Sequence, residues 1–199
     1  MFNTNNIVQT KNINTKLSFG EIYNEGVSFA GNRIKLAGVV DDSIVDGDGV
    51  RFTVFTQGCP HKCPDCHNPQ THDTNGGYWD TIENLFVRIA SNPLLDGVTF
   101  SGGEPFLQAD VLAVLAKQIH SLGLNIITYT GYRFEELYKN ASSNNHYMDL
   151  INESDFLIDG RFDRNKKSYK FNFVGSSNQR IIDCKKSQFP QLCLRDIYA

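Results

Sequence analysis

Apolar positions along the chain repeat with two different periods. Short blocks rich in β-branched and aromatic residues, at 34–40, Arg51–Thr56, 98–100, 126–130 and 156–158, predict strands. Between them lie segments with helical spacing. Ile82, Leu85, Phe86 and Ile89 make one apolar face, with Asp80 and Glu83 as an expected capping pair and Pro93 just beyond the end. Val111, Leu112, Leu115, Ile119 and Leu122 recur at steps of three and four, and Gly123 is a natural stop. Further helices are expected at Phe134–Lys139 and 147–152, and a last strand region at 171–174 and 181–182 around a Gly-Ser-Ser-Asn turn. Alternating strands and helices imply an α/β fold of parallel strands joined by right-handed crossover helices. Periodicity alone does not separate a partial (β/α) barrel from a doubly wound sheet; a partial barrel is the expectation here. Residues 1–31, rich in Asn and Thr, lack clear periodicity and read as an N-terminal extension of uncertain order, leaving one domain at 32–199.

Composition narrows the function classes. With 40% hydrophobic residues, 14 Phe and 8 Tyr in 199 residues, the chain can bury a core. A net charge of −3 argues against a dedicated nucleic-acid binder. No apolar run reaches the ~18 residues of a membrane span, and the N-terminus has no signal-peptide core. The expected location is cytoplasmic.

The candidate chemistry sits just after the strands. Cys59, Cys63 and Cys66 are spaced by four and three residues in Cys-Pro-His-Lys-Cys-Pro-Asp-Cys-His-Asn-Pro. Thiolates are soft ligands suited to zinc or to an iron–sulfur cluster. Three on a four-iron cube would leave one iron open to a substrate or cofactor. A structural zinc site of three cysteines with His61 or His67 fits the same spacing. Ser101-Gly102-Gly103-Glu104-Pro105 offers close backbone approach and a carboxylate for an ammonium group, or simply a tight turn before a helix. Thr130-Gly131-Tyr132 and Asp159-Gly160-Arg161 are ligand contacts or turn formers. Gly175-Ser-Ser-Asn-Gln-Arg180 suits a carboxylate or a polypeptide segment, or a polar hairpin turn. His120 and His146 belong on helix surfaces, and Cys184 and Cys193 read as ordinary or redox-sensitive thiols.

At the cysteine loop the sequence resembles the radical S-adenosylmethionine (SAM) superfamily. The stretch Ser43-Ile-Val-Asp46-Gly47-Asp-Gly49-Val-Arg51, with Phe55-Thr-Gln-Gly58 and Cys66-His67-Asn68-Pro69, resembles the glycyl-radical-enzyme activases within it. That family has a branch acting on pyruvate formate-lyase and one acting on anaerobic ribonucleoside-triphosphate reductase. Tyr129-Thr-Gly-Tyr132, Leu157-Ile-Asp159-Gly160 and Gly175-Ser-Ser-Asn-Gln-Arg180 are similar to the second. His67 stands where many members have an aromatic residue, and Asp48 where many have proline. The resemblance implies a radical SAM-type partial barrel. It implies a [4Fe–4S] cluster on Cys59, Cys63 and Cys66, and SAM bound by Asp65, Cys66, His67, Gly102, Gly103, Glu104, Thr130 and Asp159. The expected reaction is reductive SAM cleavage to a 5′-deoxyadenosyl radical, with hydrogen abstraction from a glycine of the anaerobic reductase. A flavodoxin or ferredoxin is the expected electron donor.

Overall fold

A computed structural model of the chain describes residues 32–167 and 172–196. The expected extension at 1–31 lies outside them. Strands β1 (Arg33–Ser43), β2 (Arg51–Thr56), β3 (Tyr78–Thr81), β4 (Gly97–Gly102), β5 (Asn125–Thr130), β6 (Phe156–Asp159), β7 (Arg180–Asp183) and β8 (Leu194–Arg195) form one sheet in the order β3-β1-β2-β4-β5-β6-β7-β8. The four central strands, β2, β4, β5 and β6, are parallel, as the alternating pattern implied. Antiparallel strands flank them on both sides: β1 and β3 at one border, β7 and β8 at the other.

Among the described residues, four α-helices connect or flank these strands: α1 (Ile82–Ala90), α2 (Ala109–Ser121), α3 (Phe134–Lys139) and α4 (Tyr147–Glu153). Ile82, Leu85, Phe86 and Ile89 are all buried, as their spacing predicts. The cap differs from the expectation. Thr81 is the N-cap and its hydroxyl accepts the Asn84 N–H, while Asp80 accepts the Thr81 N–H and the Asn84 side-chain amide. Gly123 ends α2 at φ +74, a left-handed turn that costs glycine nothing. Residues Asn172–Val174 are irregular rather than extended, and Phe171 is outside the described residues.

Pairing in the sheet decides what faces the helices. Val54, Phe100, Thr128, Leu157 and Ile182 lie in one register row and are fully buried. Side chains alternate along each strand, so Phe55, Ser101 and Tyr129 point to the other face. There they line a cavity of about 820 Å³. Ile127, Ile158, Ile181 and Val174 form a small apolar cluster on this second face.

One end of the second face is plugged by a cation. The Arg51 side chain is fully buried and uses its guanidinium on Thr99 Oγ1, Asn125 Oδ1 and the carbonyls of Asp48, Val98 and Asn125. A Cβ at Gly97 would stand 2.5 Å from Arg51 Nη1, so glycine there makes room for it. Burial lowers the Arg51 pKa to about 10, still far above neutrality.

Candidate active site

The cavity opens where β2, β4, β5 and β6 end, the end at which parallel α/β sheets collect their ligands. Phe55, Ser101, Gly102, Tyr129, Thr130 and Gly160 bring the strand ends to it, and Cys59, Cys63, Cys66 and His67 bring the cysteine loop. All three cysteines are free thiols.

Backbone bonds stitch the loop to the Ser101–Glu104 turn. Gly103 N donates to Thr56 O and Glu104 N to Gly58 O, both at 2.8 Å. The two segments approach so closely that a Cβ on Gly103 would lie 2.3 Å from Gly58 O. Gly102 sits at φ +93, and a Cβ there would meet the β2 backbone at 2.6 Å. The glycines are therefore needed by the packing of backbone on backbone, besides leaving the cavity floor open. The Gln57 amide pins the far end of the loop through the carbonyls of Gln70 and Asp73. Lys62 and Asp65 adopt left-handed conformations, at φ 46 and 57, which turn the chain between the cysteines.

Burial raises the Cys59 thiol above its ordinary range, with the nearby Glu104 charge adding to the effect, and burial likewise raises Cys63. Ligation there would be coupled to proton release. Among the described residues no three His, Cys, Asp or Glu side chains gather into a site for one metal ion. A single zinc would need its thiolates within ~2.3 Å of one point. A four-iron cube takes each cysteine on a different iron, and three spread thiols around a roomy cavity suit it.

Glu104 is fully buried and does not line the cavity. Its Oε1 accepts from Thr130 Oγ1 (2.9 Å) and Phe106 N (3.1 Å). Its Oε2 accepts from Gly131 N (2.9 Å) and His61 Nε2 (2.7 Å). A carboxylate has about four acceptor positions, and all are in use. Asp159 is likewise fully buried, behind the cavity wall. It accepts from Arg133, from Arg180 Nε (2.9 Å) and Nη2, and from the Phe134 N–H (2.8 Å) that opens α3. Both acids that the resemblance assigned to SAM thus spend their oxygens on the protein itself.

The other expected contacts fall in two groups. Gly102, Gly103, Thr130, Cys66 and His67 line the cavity, with His67 tilted against Phe162 at 5.2 Å. Asp65 is exposed and faces Arg164 at 3.7 Å. In the Gly175–Arg180 string, Gly175 and Gln179 line the cavity. Gln179 organises that turn, accepting the N–H groups of Gly175 and Ser176 and donating to Gly160 O. Cys184 is buried, with its thiol pushed up to about 12 by that burial, and neither it nor Cys193 reaches the cavity. Sequence reasoning missed Phe162 and Phe173 as wall residues and His61 as the partner of Glu104. No spacing rule links positions 43 residues apart.

Comparison with known proteins adds an independent line. The 4Fe-4S single cluster domain family matches residues 45–182. The anaerobic ribonucleoside-triphosphate reductase-activating protein of Salmonella typhi is 34% identical over 146 residues, covering 69% of this chain and 91% of its own length. Its counterpart in Escherichia coli K12 is also 34% identical over 146 residues, with the same coverage. The pyruvate formate-lyase-activating enzyme of Clostridium pasteurianum is 40% identical over 107 residues, 49% of this chain and 45% of that enzyme.

Proposed function

The chain belongs to the 4Fe-4S single cluster domain family and to the glycyl-radical activases within it, and on that premise we propose that its substrate protein is the anaerobic ribonucleoside-triphosphate reductase. It is a radical SAM activating enzyme with a [4Fe–4S] cluster and SAM as cofactors. The observation that carries the reading is the meeting, around one cavity, of three free thiols with a glycine turn whose backbone is open to a ligand. When bound, the cluster and SAM would supply one-electron reductive cleavage, the source of the radical that would take a hydrogen atom from glycine, with the electron drawn from an external donor.

What the chain itself contributes is position. Cys59, Cys63 and Cys66 would hold the cluster against the strand ends. Gly102 and Gly103 would admit the methionine portion of SAM, and the backbone around Asp65, Cys66 and His67 would approach the adenosine. Thr130 would face that pocket directly, Asp159 would shape it from behind rather than by direct charge contact, and Glu104 would hold the glycine turn rigid. The apolar second face, with Tyr129, Phe173 and Val174, would keep water from the reactive carbon. Gly175 and Gln179 at the cavity wall would receive the glycine-bearing loop of the partner. The sheet would be the partial barrel of the radical SAM type, the donor a flavodoxin or ferredoxin, and the compartment the cytoplasm.

The test is anaerobic reconstitution, reduction, addition of SAM and the reductase from the same source, and electron paramagnetic resonance. A glycyl radical doublet that needs both SAM and this protein is the expected result. SAM cleavage without a doublet would move the substrate to another glycyl-radical enzyme, such as a pyruvate formate-lyase. A loaded cluster with neither cleavage nor doublet would overturn the assignment. Cys63→Ala should load no cluster and give no turnover.

A further inference from the structure

His61 lies between two cysteines in sequence, yet its hydrogen bond leaves the loop. Its side chain is 3% exposed and Nε2 donates to Glu104 Oε2 at 2.7 Å. The ring packs edge-on against Tyr132, centroids 4.4 Å apart. It packs closely on Gly131, where a Cβ would come within 2.2 Å of the imidazole. The same Glu104 oxygen accepts the Gly131 N–H. Three segments therefore meet at one carboxylate: the cysteine loop, the turn after β4, and the end of β5.

The other ties of this loop are weaker or lie elsewhere. Backbone bonds from Gly103 and Glu104 hold Thr56 and Gly58, which precede Cys59. Past Cys59, the Cys66 N–H bonds to Cys63 O within the loop, Asp65 makes an exposed pair with Arg164, the half-buried Cys63 thiol meets the Phe162 backbone, and the exposed His67 ring tilts against Phe162. Of these ties, that of His61 alone reaches a fully buried side chain.

We propose that His61 is a positioning residue that clamps the cysteine loop to the Gly102–Gly103–Glu104 turn, setting the spacing between the thiols and the backbone that admits SAM. This rests on the reading of the cavity given above. The reaction needs the bound groups in contact, and misplacement of about 1 Å is enough to cost two orders of magnitude in rate. A clamp buried on both sides resists such a shift because opening it would leave the imidazole N–H and one lone pair of the buried Glu104 oxygen without a partner.

The experiment compares His61→Asn, too short to reach Glu104, with His61→Gln, which restores an N–H at similar reach. The first readout uses the metal-free chain. Iodoacetamide labelling of Cys59 should quicken about tenfold in His61→Asn, the effect of losing one hydrogen bond to a charged group, and return close to wild type in His61→Gln. The second uses protein loaded to equal iron content. The SAM concentration that half-converts the electron paramagnetic resonance signal of the reduced cluster should rise about tenfold in His61→Asn and recover in His61→Gln. Unchanged Cys59 labelling in His61→Asn would overturn the clamp. Faster labelling with an unchanged SAM titration would overturn its positioning role. A wild-type chain that loads no cluster, or whose signal ignores SAM, would sink the functional reading itself, and the labelling comparison would still decide whether the clamp exists.

Discussion

Exchanging Glu104 for glutamine changes one oxygen to an amide nitrogen, and the geometry fixes the consequence. Each carboxylate oxygen takes one backbone N–H, from Phe106 on Oε1 and from Gly131 on Oε2. Whichever way the glutamine amide turns, its NH2 faces a backbone donor that cannot become an acceptor. One buried N–H is then left unpaired, at a cost of about 1–3 kcal/mol. The second partner on that side, the Thr130 hydroxyl or the His61 ring, can turn round to accept from that NH2, but it trades a bond to a charged group for a neutral one, another ~1 kcal/mol. The combined loss is about 2–4 kcal/mol, a large part of the ~5–15 kcal/mol that holds a domain folded. Urea unfolding of the metal-free chain checks this. At about 2 kcal/mol per molar, the midpoint should fall by roughly 1–2 M with an unchanged slope. A midpoint within ~0.3 M of wild type would refute the reasoning, because a carboxylate aimed into an open cavity would tolerate the exchange.

Three further outcomes follow from other parts of the molecule. Arg51→Met should destabilise by about 3 kcal/mol, since Thr99, Asn125 and the Val98 carbonyl lose a buried partner, and lower the melting temperature by roughly 6–12 °C; calorimetry showing no shift would sink the plug. Gly103→Ala should cost about 2 kcal/mol and cut iron uptake on reconstitution, because its methyl would push on Gly58 O at the entrance to the cysteine loop; full uptake with wild-type stability would contradict that. In the folded, metal-free chain at pH 8, Cys184 should be the slowest of the five cysteines to alkylate, its thiol held near 12 by burial; peptide mapping that finds it labelled as fast as Cys66 would disprove its burial.

Much of the scaffold is legible in the sequence because it rests on local periodicity. The apolar faces of α1 and α2 and the four central strands follow from spacing alone. Strand β3 is not legible: Tyr78 and Trp79 are exposed, the strand pairs among the described residues only with β1, and no buried face leaves an alternating signature. β8, two exposed residues long, is equally silent. In the site, the cysteines and glycines are legible as motifs. The duties of the acids are not. Glu104 and Asp159 look alike as carboxylates at strand ends, and only the fold shows Glu104 meeting His61 and Gly131 while Asp159 meets Arg133 and Arg180. Such pairings are set by strand order, which a pattern of apolar residues does not encode.

The turn between β1 and β2 shows a further consequence of the Arg51 plug. Ile44 and Val45 at its tip are 74% and 75% exposed, yet the residues behind them are held tightly. Arg51 donates to Asp48 O and Thr99 Oγ1 to Asp46 O, while the Asp46 carboxylate takes the hydroxyls of Ser43 and Thr53. An exposed apolar loop that is free in solution must surrender its backbone freedom on association, at about 1–2 kcal/mol for each residue ordered. Here that loss has already been incurred in folding. Whatever meets Ile44 and Val45 meets them already in place, and the contact keeps more of its apolar contribution as affinity.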